Sequence, residues 1–318
     1  MEHSVLQAIA GTQYCFNTAN FFLEQAGKPA VFETHLVGLK KEIQPGSPGF
    51  SVRPDLLLEN AGKPDLIIIP PLFGDFDQAI STNSQFLPWI KSHYETGTEV
   101  ASLCVGAFFL AATGIVNGKK CSTHWGFVDK FKSQFPEVVV LDGNIVTEEA
   151  GIYSSGGANS YWNLLLHLVE KFVDREMAIL LSKYFAIDID RTNQSAFTIF
   201  QGQKEHPDSE IRKAQEIIEN RFGERISVDE LADEVAIGRR SFERRFKRVT
   251  NNSVLEYIQR VKIEAAKRSF ESSMKNINEV MFDVGYTDSK AFRTTFKKVT
   301  GLTPIEYRNK YNKLVRVN

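Results

Sequence analysis

The sequence predicts two domains, an α/β domain with a doubly wound, mainly parallel sheet and then an all-helical domain. Short apolar runs alternate with helical segments up to about residue 190, and after a polar segment the pattern is helical throughout. Charge divides in the same way. Residues 203–318 contain 24 Lys and Arg against 18 Asp and Glu, a net charge of +6, whereas residues 1–202 carry −7, which together give the chain's −1. A basic helical domain favours a polyanion as its partner.

Three apolar runs predict the buried strands of the first domain, at residues 66–69, 100–103 and 138–141. Residues 107–113 and 161–172 are predicted as helices. Strands that alternate with helices indicate a flavodoxin-like sheet, in which ligands bind at the carboxyl ends of the strands. The predicted boundaries are 1–190 for this α/β domain, 191–210 for a polar linker that contains Gly and Pro, and 211–318 for the helical domain.

The helical domain contains an internal repeat. Phe242-x-x-x-Phe246-Lys247 recurs fifty residues later as Phe292-x-x-x-Phe296-Lys297. This offset predicts two copies of one helical unit. We assign the four phenylalanines to the core of these units.

The first copy has the pattern of a helix-turn-helix unit. Ser227 and Glu230 predict a capping box that opens a helix. Residues 236–238 form a tight turn, in which we expect Gly238 to supply the backbone freedom. The next helix has an apolar side and a basic side, and the basic side comprises Arg239, Arg240, Arg244 and Lys247.

The basic side of this helix could contact DNA or could simply be solvated. In the major groove an arginine can bond guanine while other cations contact phosphate. Solvation is the usual fate of a charged face. The capped spacing, the repeat and the +6 charge of residues 203–318 favour DNA.

The second copy is predicted as a helix at 277–284, a turn at 285–287 and a helix at 288–299. The outward positions of that last helix are Ser289, Lys290, Arg293, Thr294 and Lys297. Between the copies, a helix at 254–270 is predicted to bury Leu255, Ile258, Val261, Ala265 and Ala266. Two recognition helices held about 34 Å apart, one turn of DNA, would reach successive major grooves.

Residues 226–310 closely resemble the AraC/XylS family. The matching motifs are Leu231-Ala232, Phe242-Glu243-Arg244-Arg245-Phe246, Tyr257, Lys262-Ile263-Glu264-Ala265-Ala266, Val284-Gly285-Tyr286, Phe292-x-x-x-Phe296-Lys297, Gly301-Leu302-Thr303-Pro304 and Tyr307-Arg308. The resemblance implies base-reading residues at Arg240, Glu243 and Arg244, and at Ser289, Lys290 and Thr294. Three positions depart from the family pattern. Gly238 replaces a Ser cap, Asn251 replaces a terminating Gly, and Thr294 replaces a common Arg.

In the first domain, Cys104 follows a strand and precedes a helix rich in small residues. A sharp turn from the strand to the helix would present the thiol at the edge of the sheet, and a helix N-terminus lowers a thiol pKa. A buried structural cysteine is the alternative.

The surrounding motifs resemble the class I glutamine amidotransferase-like (PfpI/ThiJ) fold over roughly residues 5–172. They are the segment 104–114, Gly118-Lys119-Lys120, Ser122-Thr123-His124-Trp125, Phe135-Pro136, Ser154-Ser155-Gly156-Gly157 and the segment 166–170. Within this superfamily the sequence is most similar to the sensor domains fused to AraC-type units, and next to isonitrile-hydratase-like enzymes.

The resemblance leaves an enzyme and a sensor as alternatives. Enzymes of this superfamily place a carboxylate soon after the first strand, but residues 11–22 contain no Asp or Glu, and Asn163 stands where the fused regulators usually have Asp. His124 could act as a base, although we expect it to shape a pocket or an interface. We therefore predict a non-catalytic ligand pocket, with Cys104, Val105, His124 and Gly74 as candidate residues. A Cys-dependent hydrolase or hydratase joined to a DNA-binding module, or a redox sensor at Cys104, are the alternatives.

The remaining expectations concern partners and location. Three cysteines without metal-ligand spacing argue against a disulfide scaffold and fit a reducing cytoplasm. We expect no metal and no cofactor, and no signal peptide or membrane span. The resemblance implies a transcriptional regulator that binds double-stranded DNA, contacts RNA polymerase, forms a homodimer and responds to a small effector, such as an amino-acid-like molecule or a quaternary amine.

Overall fold

The computed structural model describes residues 1–45, 49–204 and 206–312, and the chain forms two compact units, Met1–Gln194 and Ser195–Asn318. The predicted linker, residues 191–210, straddles this boundary. Backbone bonds join residues 192–194 to residues 143–145 of the first unit. Side chains of the second unit bond residues 198–203.

The first unit alternates strands and helices. Its elements are α1 (Leu6–Gln25), β1 (Val37–Gly38), β2 (Leu56–Leu57), β3 (Leu66–Ile69), α2 (Phe76–Thr82), α3 (Phe86–Glu95), β4 (Glu99–Ser102), α4 (Ala107–Ala112), β5 (Lys120–Cys121), α5 (Val128–Gln134), β6 (Val139–Val140), β7 (Val146–Glu149), β8 (Ile152–Ser155), α6 (Tyr161–Phe172) and α7 (Arg175–Tyr184).

The main sheet has the strand order β3-β4-β8-β7. The first three strands are parallel, with Ile67 opposite Val100 and Val100 opposite Ile152, and β7 is antiparallel to β8. This arrangement confirms the predicted doubly wound, mainly parallel sheet. The third predicted strand lies elsewhere, because β6 pairs with β5 in a separate two-stranded sheet and Val139 is 47% exposed.

Hydrophobic clusters cover both faces of the sheet. One joins α2, α3 and α4 to the strands through residues such as Phe76 and Phe108. The other packs α1, α6 and α7 against the sheet through residues such as Phe16 and Leu165. Strands buried on both faces need continuous apolar sequence, which explains runs such as residues 66–69.

The second unit is helical. Its helices are α8 (Ser209–Asn220), α9 (Val228–Glu234), α10 (Arg239–Thr250), α11 (Val254–Ser272), α12 (Ile277–Asp283), α13 (Ser289–Thr300) and α14 (Pro304–Tyr311). Phe242 and Phe246 are fully buried in one cluster, and Phe292 and Phe296 in a second. The predicted core role of these four side chains is therefore confirmed.

The long helix α11 contributes to both clusters. Its predicted inward face is wrong at Leu255, which is 59% exposed. Val254 and Tyr257 are buried instead, because the α-helical rotation of 100° per residue turns the intervening position towards solvent. Ile258 and Val261 are buried as predicted.

Candidate nucleic-acid interface and ligand site

Both helix-turn-helix units begin with a capping box. The Ser227 amide donates to the Glu230 carboxylate at 2.8 Å, and the Glu230 amide donates to the Ser227 hydroxyl at 3.2 Å. Asn276 and Glu279 form the same reciprocal pair at the start of α12. These bonds satisfy amides that the first turn leaves without helical partners.

The two turns differ from the sequence prediction in one respect. In the first turn the left-handed residue is Ala236, at φ 53°, whereas Gly238 has φ −58° and is the N-cap of α10. The expectation that Gly238 supplies the backbone freedom is therefore wrong. In the second turn Gly285 is left-handed, at φ 73°. A Cβ there would also lie 2.5 Å from the Gly223 carbonyl oxygen, so this position requires glycine.

The recognition helices α10 and α13 end in the same way. Asn251 and Gly301 both have left-handed backbones, at φ 55° and 74°, and their amides donate to the carbonyls of Lys247 and Lys297. Asparagine therefore adopts the conformation that glycine has in the second unit.

The predicted basic face of α10 is exposed. Arg240, Arg244 and Lys247 make no ion pair with any residue that the structure describes. Arg239 differs, because it lies 2.7 Å from the Asp229 carboxylate and 3.7 Å from that of Glu243. A cation without an internal partner keeps its whole charge available for a phosphate or a base.

The outward positions of α13 are arranged similarly. Lys290, Arg293, Thr294 and Lys297 are exposed, and Ser289, the first residue of the helix, is half-buried. Asp288 caps this helix by accepting the Ala291 amide at 2.7 Å.

Sequence reasoning missed the role of Arg245. Its Nε and one terminal nitrogen donate to the two Asp208 carboxylate oxygens at 2.9 and 2.6 Å. Arg245 points away from the basic face and ties α10 to the start of α8, where Asp208 also caps the helix. In the sequence, only their positions around the helix distinguish Arg244 from Arg245.

Helix α11 connects the two units. Its 19 residues span about 28 Å at 1.5 Å per residue. The buried Lys262 ammonium donates to the carbonyls of Glu224 at 2.9 Å and Val284 at 3.0 Å. Burial lowers the pKa of Lys262. This side chain fixes the second turn to the segment that precedes α9.

In the first unit, Cys104 lies on the predicted sharp turn between β4 and α4. It has φ 54° and is 5% exposed, and its amide donates to the Ser155 hydroxyl at 3.0 Å. Gly106 allows this turn, because a Cβ there would lie 2.7 Å from the Pro70 carbonyl oxygen. Burial raises the pKa of the Cys104 thiol to about 12. The expected lowering of this pKa by the helix N-terminus is therefore wrong, since desolvation outweighs it.

The other candidate pocket residues have separate environments. Val105 is buried beside Cys104. The His124 ring accepts the Gly126 amide at Nδ1, 3.0 Å away, and burial lowers its pKa. Gly74 is exposed at φ 85° just before α2. No hydrogen bond joins His124 to Cys104 among the residues described.

A cavity of about 930 Å³ lies in the first unit. It is bordered by α1, by β3 and by the segment 31–37, and Phe16, Ile67 and Phe86 are among its lining residues. None of the four candidate pocket residues lines it.

Gln194 is the second residue that sequence reasoning missed. It is 1% exposed, and its side-chain amide donates to the Thr123 carbonyl at 2.9 Å. The Trp125 amide donates to the Gln194 side-chain oxygen at 3.2 Å. Thr123 in turn donates its hydroxyl to the Cys104 carbonyl at 3.4 Å. Nothing in the sequence of the predicted linker indicates that the Gln194 side chain bonds residues so far away along the chain.

The residues that bear on catalysis and on metal binding have structural partners or are buried. Residues 11–22, which lack Asp and Glu, belong to α1, and Asn163 donates its amide to the Asp188 carbonyl at 2.7 Å. The three cysteines are buried free thiols. Among the described residues, no cluster of His, Cys, Asp and Glu could bind a metal ion, and none of the helices is both long and apolar enough for a membrane span.

Comparison with known proteins assigns a family to each unit. Residues 17–171 match the DJ-1/PfpI family, and residues 231–310 match a helix-turn-helix domain family. The HTH-type transcriptional regulator GbdR of Pseudomonas aeruginosa is 24% identical over 281 residues, which cover 87% of this chain and 75% of GbdR. The regulator ArgR of the same species is 24% identical over 221 residues, 69% of this chain and 67% of ArgR.

One solved structure has a similar fold over part of the chain. A chain from Vibrio parahaemolyticus, described as a candidate transcriptional regulator, has a TM-score of 0.51 and 22% identity, covering 57% of this chain and 94% of its own. The chain therefore combines an N-terminal DJ-1/PfpI domain with a C-terminal AraC-type helix-turn-helix domain, the architecture of its relatives GbdR and ArgR.

Proposed function

We propose that this protein is a sequence-specific DNA-binding transcriptional regulator whose α10 and α13 read DNA and whose first unit binds a small effector. The observation that carries the proposal is the exposed basic face of α10, where Arg240, Arg244 and Lys247 have no ion-pair partner among the described residues. The same helix buries Phe242 and Phe246, so the basic face is presented by a rigid core.

The proposed base contacts come from Arg240, Glu243 and Arg244 in the first unit and from Ser289, Lys290 and Thr294 in the second. Arg239, Lys247, Arg293 and Lys297 would add phosphate contacts. Arg239 must first break its ion pair with Asp229. We therefore expect Arg239 to contribute less to DNA binding than Arg244. Helix α11, which is about 28 Å long, connects the two units. Two readers about one turn of the duplex apart would reach successive major grooves.

For the first unit we propose ligand sensing without catalysis. A nucleophilic cysteine needs a thiolate, and a thiol whose pKa is about 12 supplies little of it near neutral pH. The effector class proposed from the resemblance remains an amino-acid-like molecule or a quaternary amine. A homodimer, RNA polymerase as partner and a cytoplasmic location complete the proposal, and they rest on the resemblance to the AraC/XylS family.

The experiment compares Arg244→Ala with Arg248→Ala, a matched loss of one exposed charge from the same helix. Duplexes selected from random DNA by the wild-type protein serve as specific targets, and unselected duplexes serve as competitors. Arg244→Ala should weaken specific binding by about 1–3 kcal/mol and relax one base preference. Arg248→Ala should change specific and non-specific binding alike. Equal specificity in the Arg244→Ala variant and the wild type would contradict the proposed contact.

A further inference from the structure

The side chain of Gln194 occupies a small polar site. Its Nε2 donates to the Thr123 carbonyl at 2.9 Å and to the Asn144 carbonyl at 3.3 Å, and its Oε1 accepts the Trp125 amide at 3.2 Å. Two acceptors and one donor are the complement of a primary amide. These three partners are backbone groups, so their hydrogen-bonding atoms remain available when the glutamine side chain leaves the site.

The site is shaped closely around the amide. A Cβ at Gly156 would lie 2.2 Å from Gln194 Nε2, so only glycine leaves room for this group. Backbone bonds hold the approaching segment, because the Gln194 amide donates to the Gly143 carbonyl at 2.7 Å and the Ile145 amide to that of Thr192 at 3.1 Å.

The site lies at a position in the sheet where doubly wound folds bind ligands. Thr123 bonds the Cys104 carbonyl, and the Cys104 amide bonds Ser155 at the end of β8. The carboxyl ends of β4 and β8 therefore lie beside Gln194, and doubly wound folds bind ligands at such strand ends. In this protein the Gln194 side chain occupies that position.

The residues that follow Gln194 lie in the second unit and contact its helices. Residues 195–197 pack against α13, and the Tyr311 hydroxyl donates to the Ala196 carbonyl at 3.2 Å. The Lys267 ammonium donates to the Thr198 carbonyl at 2.5 Å, and the Phe200 amide donates to the Glu264 carboxylate at 3.2 Å. We call residues 192–203 the strap, since one end bonds to the first unit and the other to the second.

The geometry points to Gln194 as an internal latch, which a small molecule with a primary amide or an amine beside an oxygen acceptor displaces from its site. This inference rests on the proposed function, in that displacement would free the strap beside the recognition helix α13. A ligand shifts such an equilibrium only through its preference for the open state. The vacated carbonyls of Thr123 and Asn144 supply that preference, because they bond the ligand only after Gln194 has left.

Chemical rescue tests the latch without DNA. Propionamide has the same functional group as the glutamine side chain, and propionate is the matched control without an N–H donor. In the full-length Gln194→Ala variant, hydrogen exchange at residues 123–125 and 143–145 should rise about tenfold. Propionamide should reverse the rise and propionate should not. In the wild type, propionamide should instead speed exchange at residues 192–200, because it competes with Gln194.

Gln134→Ala is the control variant, since Gln134 donates to Asp77 at an exposed position of the same unit, and exchange at both segments should stay unchanged. Unaltered exchange in Gln194→Ala, or equal rescue by propionate, would overturn the latch. If Gln194→Ala does not fold, Gln194→Glu provides the second test, because it keeps the shape and turns a carboxylate towards two carbonyls. Its strap should exchange faster than that of the wild type, and an unchanged strap would overturn the inference. Specific DNA binding is measured in a separate experiment. The hydrogen-exchange result can therefore be interpreted even if the protein does not act as a transcriptional regulator.

Discussion

The guanidinium of Arg245 forms a two-point bond with the carboxylate of Asp208, at 2.9 and 2.6 Å. Asp208 also accepts the Ile211 amide at 3.2 Å and so caps α8. One carboxylate therefore organises the start of the helical domain and orients α10, whose opposite face we propose to meet DNA. Arg244, the next residue in the sequence, has the same chemistry but a solvent-facing position.

Arg245→Ala should lower the free energy of unfolding of the helical domain by about 1–3 kcal/mol, because it removes two hydrogen bonds from the Asp208 carboxylate, whose side chain is only 7% exposed. Thermal or urea unfolding followed by circular dichroism measures the change. Arg248→Ala is the control, since Arg248 is exposed and lies 4.0 Å from the same carboxylate. Equal stability of Arg245→Ala and the wild type would show that the pair does not organise the domain.

The same pair predicts a pH dependence. Hydrogen bonds from Arg245 hold the pKa of Asp208 below its usual value, so the folded state favours the ionised carboxylate. Its contribution to stability is present above the unfolded pKa, about 3.9, and is lost as pH falls through the folded pKa. The stability difference between wild type and Asp208→Asn, which keeps a capping side chain, should therefore shrink below about pH 4. A difference that grows on acidification would contradict this assignment.

Gly285→Ala should destabilise the second helix-turn-helix unit by about 1–3 kcal/mol, because a side chain there strains a left-handed backbone. The added Cβ would also lie 2.5 Å from the Lys262 ammonium nitrogen and displace it. Gly238→Ser is the control at the other turn, where φ is −58° and no atom lies within 4 Å of a Cβ. It should leave stability unchanged or raise it slightly, since serine is a good N-cap. Equal losses in both variants would contradict the assignment of the turns.

The three cysteines should resist labelling in the folded protein near neutral pH, because burial raises their thiol pKa values to about 12. Labelling should accelerate as pH rises, since the thiolate is the reactive form. Protein unfolded in guanidinium, with three reactive thiols, provides the reference rate. A folded protein in which Cys104 reacts as fast at pH 7 as the unfolded chain would favour the redox or catalytic alternatives.

Local sequence signals predicted the elements that depend on nearby residues. The strand at 66–69 and the helix at 161–172 have the predicted bounds. The Ser227 capping box and the left-handed Asn251 also follow from short-range hydrogen bonds and backbone preference.

Features that depend on distant partners were not predictable. Gln194 reaches residues about seventy and fifty positions earlier in the chain. Arg245 bonds a carboxylate 37 positions away. Likewise, the pKa of Cys104 depends on burial by the whole sheet, which overrides the helix N-terminus that the sequence suggests. The second turn contains Gly285, but the first places an exposed alanine, Ala236, in the left-handed conformation that glycine usually adopts.

Selection of binding sites from random DNA by the full-length protein tests most directly whether the two recognition helices read one duplex together. Selected sites should contain two short motifs whose centres lie about 10 bp apart, one turn of the duplex. Arg244→Ala should erase a base preference in one motif only, and Lys290→Ala should act only on the other. Sites that contain a single motif, or a selection without any sequence preference, would show that the two helices do not read one duplex together.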